Sequence, residues 1–295
     1  MSLAKLSLGT AQFGFDYGIS NRCGAVSDEC LGKILSKAED AGINMLDTAP
    51  EYGNAERRLG AYGMQKWKVG SKVPSLPGGD VFVRDLVLRS IERSLSHLQI
   101  SQLDSCIVHR ASDLLGDSGD FLFETLRELK EEGTVKKIGA STYNVTEIES
   151  TLNRYDLDLF QTPFNVFDQS MIRTPYFKTL KLKNTEVHAR SVFLQGLLLL
   201  NKSERPIYFG KWNSLWKRYD QWVASNEVSA FEANLSFVCT QQFDRMVVGV
   251  DSFEQFSQLL HVMTNLPVLN HSAESLHCAD KTLTNPSLWN LSSSG

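Results

Sequence analysis

Short apolar segments alternate along the chain with longer segments in which apolar residues recur at helical spacing. In residues 84–98, Leu88, Ile91, Leu95 and Leu98 follow one another at intervals of three and four, a pattern that predicts an amphipathic helix. The short segments have the length and composition of β-strands. Eight segments have this character: Leu6–Gly9, Ile43–Leu46, Trp67–Lys72, Leu103–Val108, Val135–Ala140, Leu157–Thr162, Val187–Ala189 and Met246–Gly249.

Helical patterns lie between these segments and after the last of them. They cover residues 28–41, 54–62, 84–98, 119–132, 144–153, 174–182 and 253–264. Regular alternation of strands and helices predicts a parallel sheet with its helices outside. Eight units close most naturally into a (β/α)8 TIM barrel of the α/β class. We expect one domain over residues 1–295, with a core at about 5–265 and a polar, loosely held tail after about 280.

Composition narrows the possible functions only slightly. The chain has 295 residues, of which 42% are hydrophobic and 22% charged, values typical of a globular protein. A net charge of −4 argues against nucleic acid or an anionic membrane as a partner. No segment is apolar enough for a signal peptide or a membrane span. The five cysteines form no CxxC pair, so we expect reduced thiols and a cytoplasmic protein.

Polar residues follow several of the predicted strands. Asp47 and Tyr52 come after the second strand, Lys72 ends the third and His109 follows the fourth. In a barrel these strand ends converge on one rim. The set suits carbonyl reduction, which produces an alkoxide that needs a proton. Free tyrosine has a pKa of about 10, and a nearby ammonium lowers it. Lys72 would serve Tyr52 in this way, Asp47 would pair with Lys72, and His109 would hydrogen-bond the carbonyl oxygen.

Six short motifs in this order resemble those of the aldo-keto reductases. They are Leu8-Gly-Thr10, Asp47-Thr-Ala-Pro-Glu-Tyr-Gly53, Lys72, Val108-His109-Arg110, Gly139-Ala-Ser141 and the pair Gln161 and Asn165. The resemblance covers about residues 5–265. It implies a (β/α)8 barrel that reduces a small-molecule carbonyl substrate with NADPH or NADH. It also implies a catalytic tetrad of Asp47, Tyr52, Lys72 and His109.

The same resemblance implies the cofactor-binding residues. Ser141 and Gln161 match residues that hold the nicotinamide carboxamide, and residues 190–196 match the loop that covers the pyrophosphate. Residues 249–255 match the segment that binds the adenosine phosphate. The expected cofactor-binding residues are therefore Thr10, Asp47, Ser141, Gln161, Arg190, Ser191, Phe193, Gly249, Asp251 and Gln255.

This chain departs from the family pattern at the cofactor. NADPH-selective members usually place Lys and Arg around the 2′-phosphate, where this chain has Gly249 and Gln255 with Asp251 between them. Aspartate would repel a phosphate and could accept a hydrogen bond from a ribose hydroxyl, so both NADPH and NADH remain open. Arg190 stands where the family often has an aromatic residue. It is expected either in the site or in an ion pair at the barrel rim.

Alternative interpretations remain for the function and for several residues. Asp47, His109 and His188 could be the ligands of a metal-dependent barrel hydrolase or isomerase, although no HxH motif accompanies them, and we predict no metal. A barrel that binds cofactor without turnover is the other alternative.

Two features outside the motifs carry expectations of their own. Glu51 is expected to serve a turn. Trp212, Trp216 and Tyr219, in an insertion at about 200–235, have helical spacing, so a helix packed on the barrel is expected, with substrate gating as the alternative. We expect a monomer or a weak homo-oligomer.

Overall fold

A computed structural model of the protein describes residues 3–76 and 82–291. In these ranges eight parallel strands form a closed barrel in chain order, and β1 pairs with β8 to close it. The (β/α)8 barrel predicted from the sequence is therefore confirmed. Its strands are β1 (Leu6–Gly9), β2 (Met45–Asp47), β3 (Lys68–Val73), β4 (Ser105–Val108), β5 (Ile138–Ser141), β6 (Leu159–Pro163), β7 (Glu186–Arg190) and β8 (Arg245–Gly249).

Helices surround the barrel and fill the connections. The α-helices are α1 (Ala11–Gly14), α2 (Asp28–Asp40), α3 (Ala55–Tyr62), α4 (Val83–Leu98), α5 (Ala111–Leu115), α6 (Gly119–Glu131), α7 (Val145–Leu152), α8 (Tyr176–Leu182), α9 (Asn213–Ser225), α10 (Ala230–Cys239), α11 (Phe253–Thr264) and α12 (Lys281–Thr284). Short 3-10 turns lie at Leu3–Lys5, Ser170–Arg173, Leu197–Leu199, Ile207–Trp212, Glu274–Leu276 and Pro286–Leu288.

The strand bounds differ from the predicted ones by up to three residues, and the second strand shows why. Ile43 is buried as its apolar side chain suggests, yet its N–H donates to Ala38 O at the end of α2. Gly42, with a φ of +75°, allows the chain to reverse there. The strand consequently starts at Met45 and runs through Asp47, which places that carboxylate at the carboxyl end of the barrel.

The insertion packs on the barrel through aromatic side chains. Trp216 and Tyr219 of α9 are buried and contact the Phe167 ring, with ring centroids 4.9 and 5.4 Å apart. The Tyr219 hydroxyl donates to Leu198 O at 2.5 Å. Trp212 lies just before α9 rather than within it. The predicted helix packed on the barrel is therefore present, starting one residue later than Trp212.

Residues 281–291 contact the rest of the chain at several points. The Trp289 ring packs against Phe209 of the insertion at a centroid distance of 4.9 Å. Its indole N–H donates to Leu283 O at 2.9 Å. Lys281 pairs with the buried Asp168 at 3.0 Å. The ring contact and the ion pair join positions far apart in sequence, and composition does not indicate them.

Two further expectations concern the whole chain. Across the described residues, no helix combines the length and apolar character that crossing a membrane requires. The cysteines at 23, 30, 106, 239 and 278 are all unpaired, as the absence of CxxC spacing predicts.

Candidate active site

The carboxyl ends of the strands surround a cavity of about 630 Å³. All residues proposed for catalysis or cofactor binding line it, including Thr10, Ser141, Ser191 and Phe193. They come from all eight strand ends and the loops that follow, and parallel pairing brings those ends together. The cavity also has lining residues that the sequence analysis did not propose: Gln12, Tyr143, Gln195, Ser229, Phe231 and Gln258.

Lys72 and Asp47 form a buried ion pair at the base of the cavity. The Lys72 ammonium donates to Asp47 Oδ2 at 2.8 Å and to Thr48 O at 2.9 Å. Gln161 Nε2 donates to the other carboxylate oxygen of Asp47 at 2.8 Å. Burial is the largest effect on the pKa of Lys72 and lowers it, but Asp47 and then Tyr52 together outweigh it, so that this pKa is raised. Lys72 therefore stays charged at neutral pH, with both of its acceptors fixed.

Tyr52 lies above this pair. Lys72 Nζ is 4.9 Å from the centroid of the Tyr52 ring, a cation–π distance. Burial raises the pKa of Tyr52, Lys72 opposes that rise and Asp47 adds to it. In this structure the net direction is upward, because the lysine charge is partly cancelled by its own aspartate. The lysine effect assumed from the sequence is present, but it is smaller than the effect of burial.

Two glycines fix the backbone at Tyr52. A Cβ on Gly14 would stand 1.7 Å from Tyr52 O, and a Cβ on Gly53 would stand 2.6 Å from Gly14 O. Gly53 also has a φ of +57°, which L-residues with side chains rarely adopt. Helix α1 therefore packs directly on the backbone of the Tyr52 turn.

His109 completes the group around the Tyr52 ring. The two rings are edge to face, with centroids 6.1 Å apart. Burial and then the Lys72 charge lower the pKa of His109 to about 4, although Glu51 and Asp47 oppose them. The imidazole is therefore neutral at neutral pH. Its Nδ1 is buried and lies close to Glu51 Oε2, but the two atoms do not have the geometry of a hydrogen bond.

Arg190 lines the cavity, and among the described residues it makes hydrogen bonds and a ring contact rather than an ion pair. It donates to Thr142 O at 2.9 Å and to Ser191 Oγ at 3.2 Å, and its guanidinium lies 4.7 Å from the Tyr143 ring centroid. Its Nε is buried without a hydrogen-bond partner. The Arg190 guanidinium, at the cavity wall, therefore has an N–H group that can still donate a hydrogen bond.

The opposite end of the cavity is lined by the chain after β8. Gly249, Asp251 and Gln255 all line it, and Gln255 Oε1 accepts from Asp251 N at 3.2 Å. Asp251 is buried, and its Oδ1 has no hydrogen-bond partner. Burial raises the pKa of Asp251, and the nearby Asp16 carboxylate adds to the effect. A buried carboxylate oxygen without a donor is the feature that a ribose hydroxyl would satisfy.

The alternative interpretations receive less support from the geometry. His188 bonds Glu186 at 3.0 Å and is not among the cavity-lining residues. Within the described ranges, no three His, Cys, Asp or Glu side chains come together as metal ligands. None of the aromatic residues of α9 lines the cavity, so a gating role for them has no geometric basis. Of the aromatic residues after β1, Tyr17 lines the cavity, whereas Phe15 packs on Tyr52 from outside it.

Comparison with known proteins places this cavity in a family. A sequence model of the Aldo/keto reductase family matches residues 5–274. The chain is 28% identical to D-threo-aldose 1-dehydrogenase from Pseudomonas sp. over 241 residues, which are 68% of this chain and 72% of that protein. It is 28% identical to NADH-specific methylglyoxal reductase from Escherichia coli (strain K12) over 166 residues, 48% of this chain and 50% of that protein.

The fold comparison extends over a longer part of the chain. Aldo-keto reductase AKR11C1 from Bacillus halodurans, in its holo form, superposes with a TM-score of 0.75 at 18% identity and covers 97% of this chain and 95% of its own. The chain spans only about half the length of some curated relatives that it matches. The family match over residues 5–274 nevertheless includes every strand of the barrel and every residue proposed for the site. The chain therefore belongs to the aldo/keto reductase family.

Proposed function

We propose that the protein is an NAD(P)H-dependent oxidoreductase that reduces the carbonyl group of a small molecule. The observation that carries the proposal is the buried Lys72–Asp47 pair beneath the Tyr52 ring, 4.9 Å from Lys72 Nζ, at the base of a cavity. A nicotinamide cofactor, when bound, supplies the hydride. Tyr52 then donates its proton to the oxygen that becomes negative, and Lys72 stabilises the phenolate that remains.

The residues present fit such a cofactor. Arg190 Nε and Asp251 Oδ1 are buried polar atoms without partners on the cavity wall, and buried polar atoms in folded proteins normally have partners. Ser141 and Gln161 line the part of the cavity near Asp47 and would hold the carboxamide. Phe193 stacks on Phe231 at a centroid distance of 4.9 Å, and this aromatic pair would form one wall beside the adenosine half.

The charges around Asp251 favour NADH over NADPH. Among the described lining residues, Lys72 is the one lysine and Arg190 the one arginine. Both lie near Tyr17 at the catalytic end of the cavity, where their charges act to lower the pKa of that tyrosine. The charged group acting on Asp251 is another carboxylate, Asp16. A 2′-phosphate placed near Asp251 would meet negative charge without a compensating cation, whereas a ribose hydroxyl could donate to Oδ1. A relative named an NADH-specific reductase is consistent with this preference.

The test is titration of the full-length protein with NADH and NADPH, followed by tryptophan fluorescence. We expect NADH to bind more tightly by at least about tenfold, equal to about 1.4 kcal/mol. Asp251→Ser should narrow the ratio of the NADPH and NADH dissociation constants, since it removes the carboxylate charge and leaves a hydroxyl oxygen that can still accept a hydrogen bond. Equal affinities of the wild type for the two cofactors would contradict the NADH preference but not the oxidoreductase proposal.

Carbonyl reduction is tested separately, with a panel of aldehydes and ketones. Lys72→Met and Tyr52→Phe should bind cofactor but lose turnover. Failure of both cofactors to bind would contradict the oxidoreductase proposal. Tight binding with no turnover by the wild type would favour the cofactor-binding barrel without activity.

A further inference from the structure

Arg190 is a positive charge in the cavity that no carboxylate of the described residues neutralises. It ends β7, and its guanidinium donates to Thr142 O at 2.9 Å and to Ser191 Oγ at 3.2 Å. Both of these acceptors are uncharged, and the buried Nε has no hydrogen-bond partner. Arginine is not deprotonated in proteins. The wall of the cavity therefore carries a permanent positive charge at this residue.

The other cation of the cavity, in contrast, is neutralised. The ammonium of Lys72 pairs with Asp47 Oδ2 at 2.8 Å, and the second oxygen of that carboxylate accepts from Gln161 Nε2 at 2.8 Å. Asp251 is the remaining carboxylate among the described lining residues, and it lies in the chain after β8. The catalytic end of the cavity therefore has one positive charge in excess.

Strand pairing places Arg190 beside the residues proposed for the nicotinamide carboxamide. Ser141 of β5 pairs with Gln161 of β6, and Arg190 pairs with Pro163, two residues after Gln161. Thr142 connects these strands, because its N–H donates to Gln161 O at 2.9 Å and its own carbonyl oxygen accepts from the Arg190 guanidinium. A nicotinamide held by Ser141 and Gln161 would therefore lie in the part of the cavity that Arg190 lines.

The two oxidation states of the cofactor differ in charge at the nicotinamide. The ring of NAD⁺ is positively charged, whereas the ring of NADH is neutral. A guanidinium is attracted to the face of an uncharged aromatic ring, as in the contact of Arg190 with Tyr143 at 4.7 Å, but it repels a cationic ring. At an effective dielectric constant of about 20, two unit charges within about 12 Å of each other repel enough to weaken binding at least about tenfold.

We propose that Arg190 selects the oxidation state of the cofactor, because its unneutralised charge makes the site bind NADH more tightly than NAD⁺. The inference rests on the proposed oxidoreductase function and adds to it a residue that distinguishes the two forms. The reduced cofactor then binds in the presence of NAD⁺. After the hydride has passed to the carbonyl carbon and Tyr52 has protonated the oxygen, the NAD⁺ that remains is repelled by Arg190 and leaves the site.

The test is calorimetric titration of the full-length protein with NADH and with NAD⁺. We expect the dissociation constant of NAD⁺ to exceed that of NADH by at least about tenfold in the wild type. Arg190→Gln removes the charge and keeps an amide that can donate hydrogen bonds, so it should lower this ratio at least about tenfold. Arg190→Lys keeps the charge and should retain most of the preference.

ADP-ribose distinguishes this role from binding of the cofactor phosphates. It has both phosphates of the cofactor but lacks the nicotinamide, so Arg190→Gln should leave its affinity nearly unchanged. An equal loss of affinity for ADP-ribose, NADH and NAD⁺ in that variant would show that Arg190 binds the phosphates, and would overturn the inference.

Arg154→Gln is the matched control. It also removes an arginine, but one that pairs with Asp120 at 3.0 Å and is not among the residues that line the cavity. Its dissociation constants for both cofactor forms should equal those of the wild type. An Arg154→Gln ratio lowered as much as that of Arg190→Gln would overturn the inference, because the effect would then not depend on a charge in the cavity.

Two results on the wild type separate this inference from the proposed function without any variant. Binding of NADH and NAD⁺ with the same affinity would overturn the role of Arg190 and leave the oxidoreductase function standing. Failure of both forms to bind would contradict the oxidoreductase function itself, and the inference with it.

Discussion

Replacing Asp47 by alanine should destabilise the protein more than any other single change at the Lys72 pair. The Lys72 side chain is 1% exposed, and its partners are Asp47 Oδ2 at 2.8 Å and Thr48 O. Asp47→Ala leaves a buried ammonium with one neutral acceptor. Breaking a buried ion pair in this way costs about 3–5 kcal/mol. Gln161 Nε2 also loses its acceptor.

The expected change in melting temperature follows from the size of the chain. Unfolding 295 residues at about 2.1 cal/mol/K per residue gives an entropy of about 620 cal/mol/K. A loss of about 3–5 kcal/mol therefore lowers Tm by about 5–8 °C. Thermal unfolding followed by circular dichroism at neutral pH measures it. The pKa of Lys72 is raised in the folded protein, so the stabilisation is fully present below its unfolded pKa of about 10.4 and is lost as the pH rises through the folded value.

Lys72→Met is the control, and the two single variants should differ. Without the lysine, Asp47 keeps the donor Gln161 and has 12% of its side chain exposed to the cavity, so its charge is partly solvated. Lys72→Met should therefore lower Tm less than Asp47→Ala does. The double variant should be no less stable than Asp47→Ala, because it removes the uncompensated charge. A Tm for Asp47→Ala within about 2 °C of the wild type, or additive losses in the double variant, would refute the reasoning.

Three further changes test other parts of the structure. Tyr52→Phe should leave NADH affinity in fluorescence titrations nearly unchanged and slow carbonyl reduction by about 10²–10⁴; an undiminished rate would exclude the phenol as proton donor. Gly196→Ala should lower the free energy of unfolding by about 1–3 kcal/mol, because Gly196 has a φ of +85° and the new Cβ would lie 1.7 Å from Ser20 Oγ. An unchanged Tm in thermal unfolding would contradict this expectation. Burial raises the pKa of Cys106 to about 12, so a thiol reagent at about pH 8 should label the exposed Cys23 in the folded protein and Cys106 only after unfolding, as mass spectrometry of peptides would show.

The barrel could be predicted from the sequence because its information is local. The eight strand segments alternate with segments of helical periodicity, and this alternation predicts the order of the strands. In a parallel barrel, strands that follow one another in the chain lie side by side, so the order also predicts which strands pair. The bounds were less accurate where an apolar residue next to a strand belongs to the end of a helix, as at Ile43, whose N–H donates to Ala38 O at the end of α2. The packing of Trp289 on Phe209 was missed because the two residues lie far apart in the chain, and neither carries a local signal for the other.

The residues of the cavity divide in a similar way. Asp47 and Lys72 could be predicted because each lies at a strand end, and adjacent pairing of β2 with β3 brings those ends together. Phe231, in the insertion, could not be predicted because nothing near it in sequence indicates that α10 reaches the cavity. The orientation of the Asp251 side chain could not be predicted either. An aspartate at this position suggested repulsion of a phosphate, but whether its Oδ1 has a hydrogen-bond partner depends on how the chain turns after β8.

The carboxylates at positions 51 and 251 show what a family resemblance transfers and what it leaves out. The match to the family's motifs is what leads us to propose Tyr52 and Lys72 for the reaction. A charge beside such residues also acts on its neighbours over several ångströms. Glu51 contacts the imidazole of His109, and Asp251 lines the part of the cavity after β8. Because the proposed proton transfer uses neither residue, replacing Asp251 should change which cofactor is preferred while the reaction itself is retained.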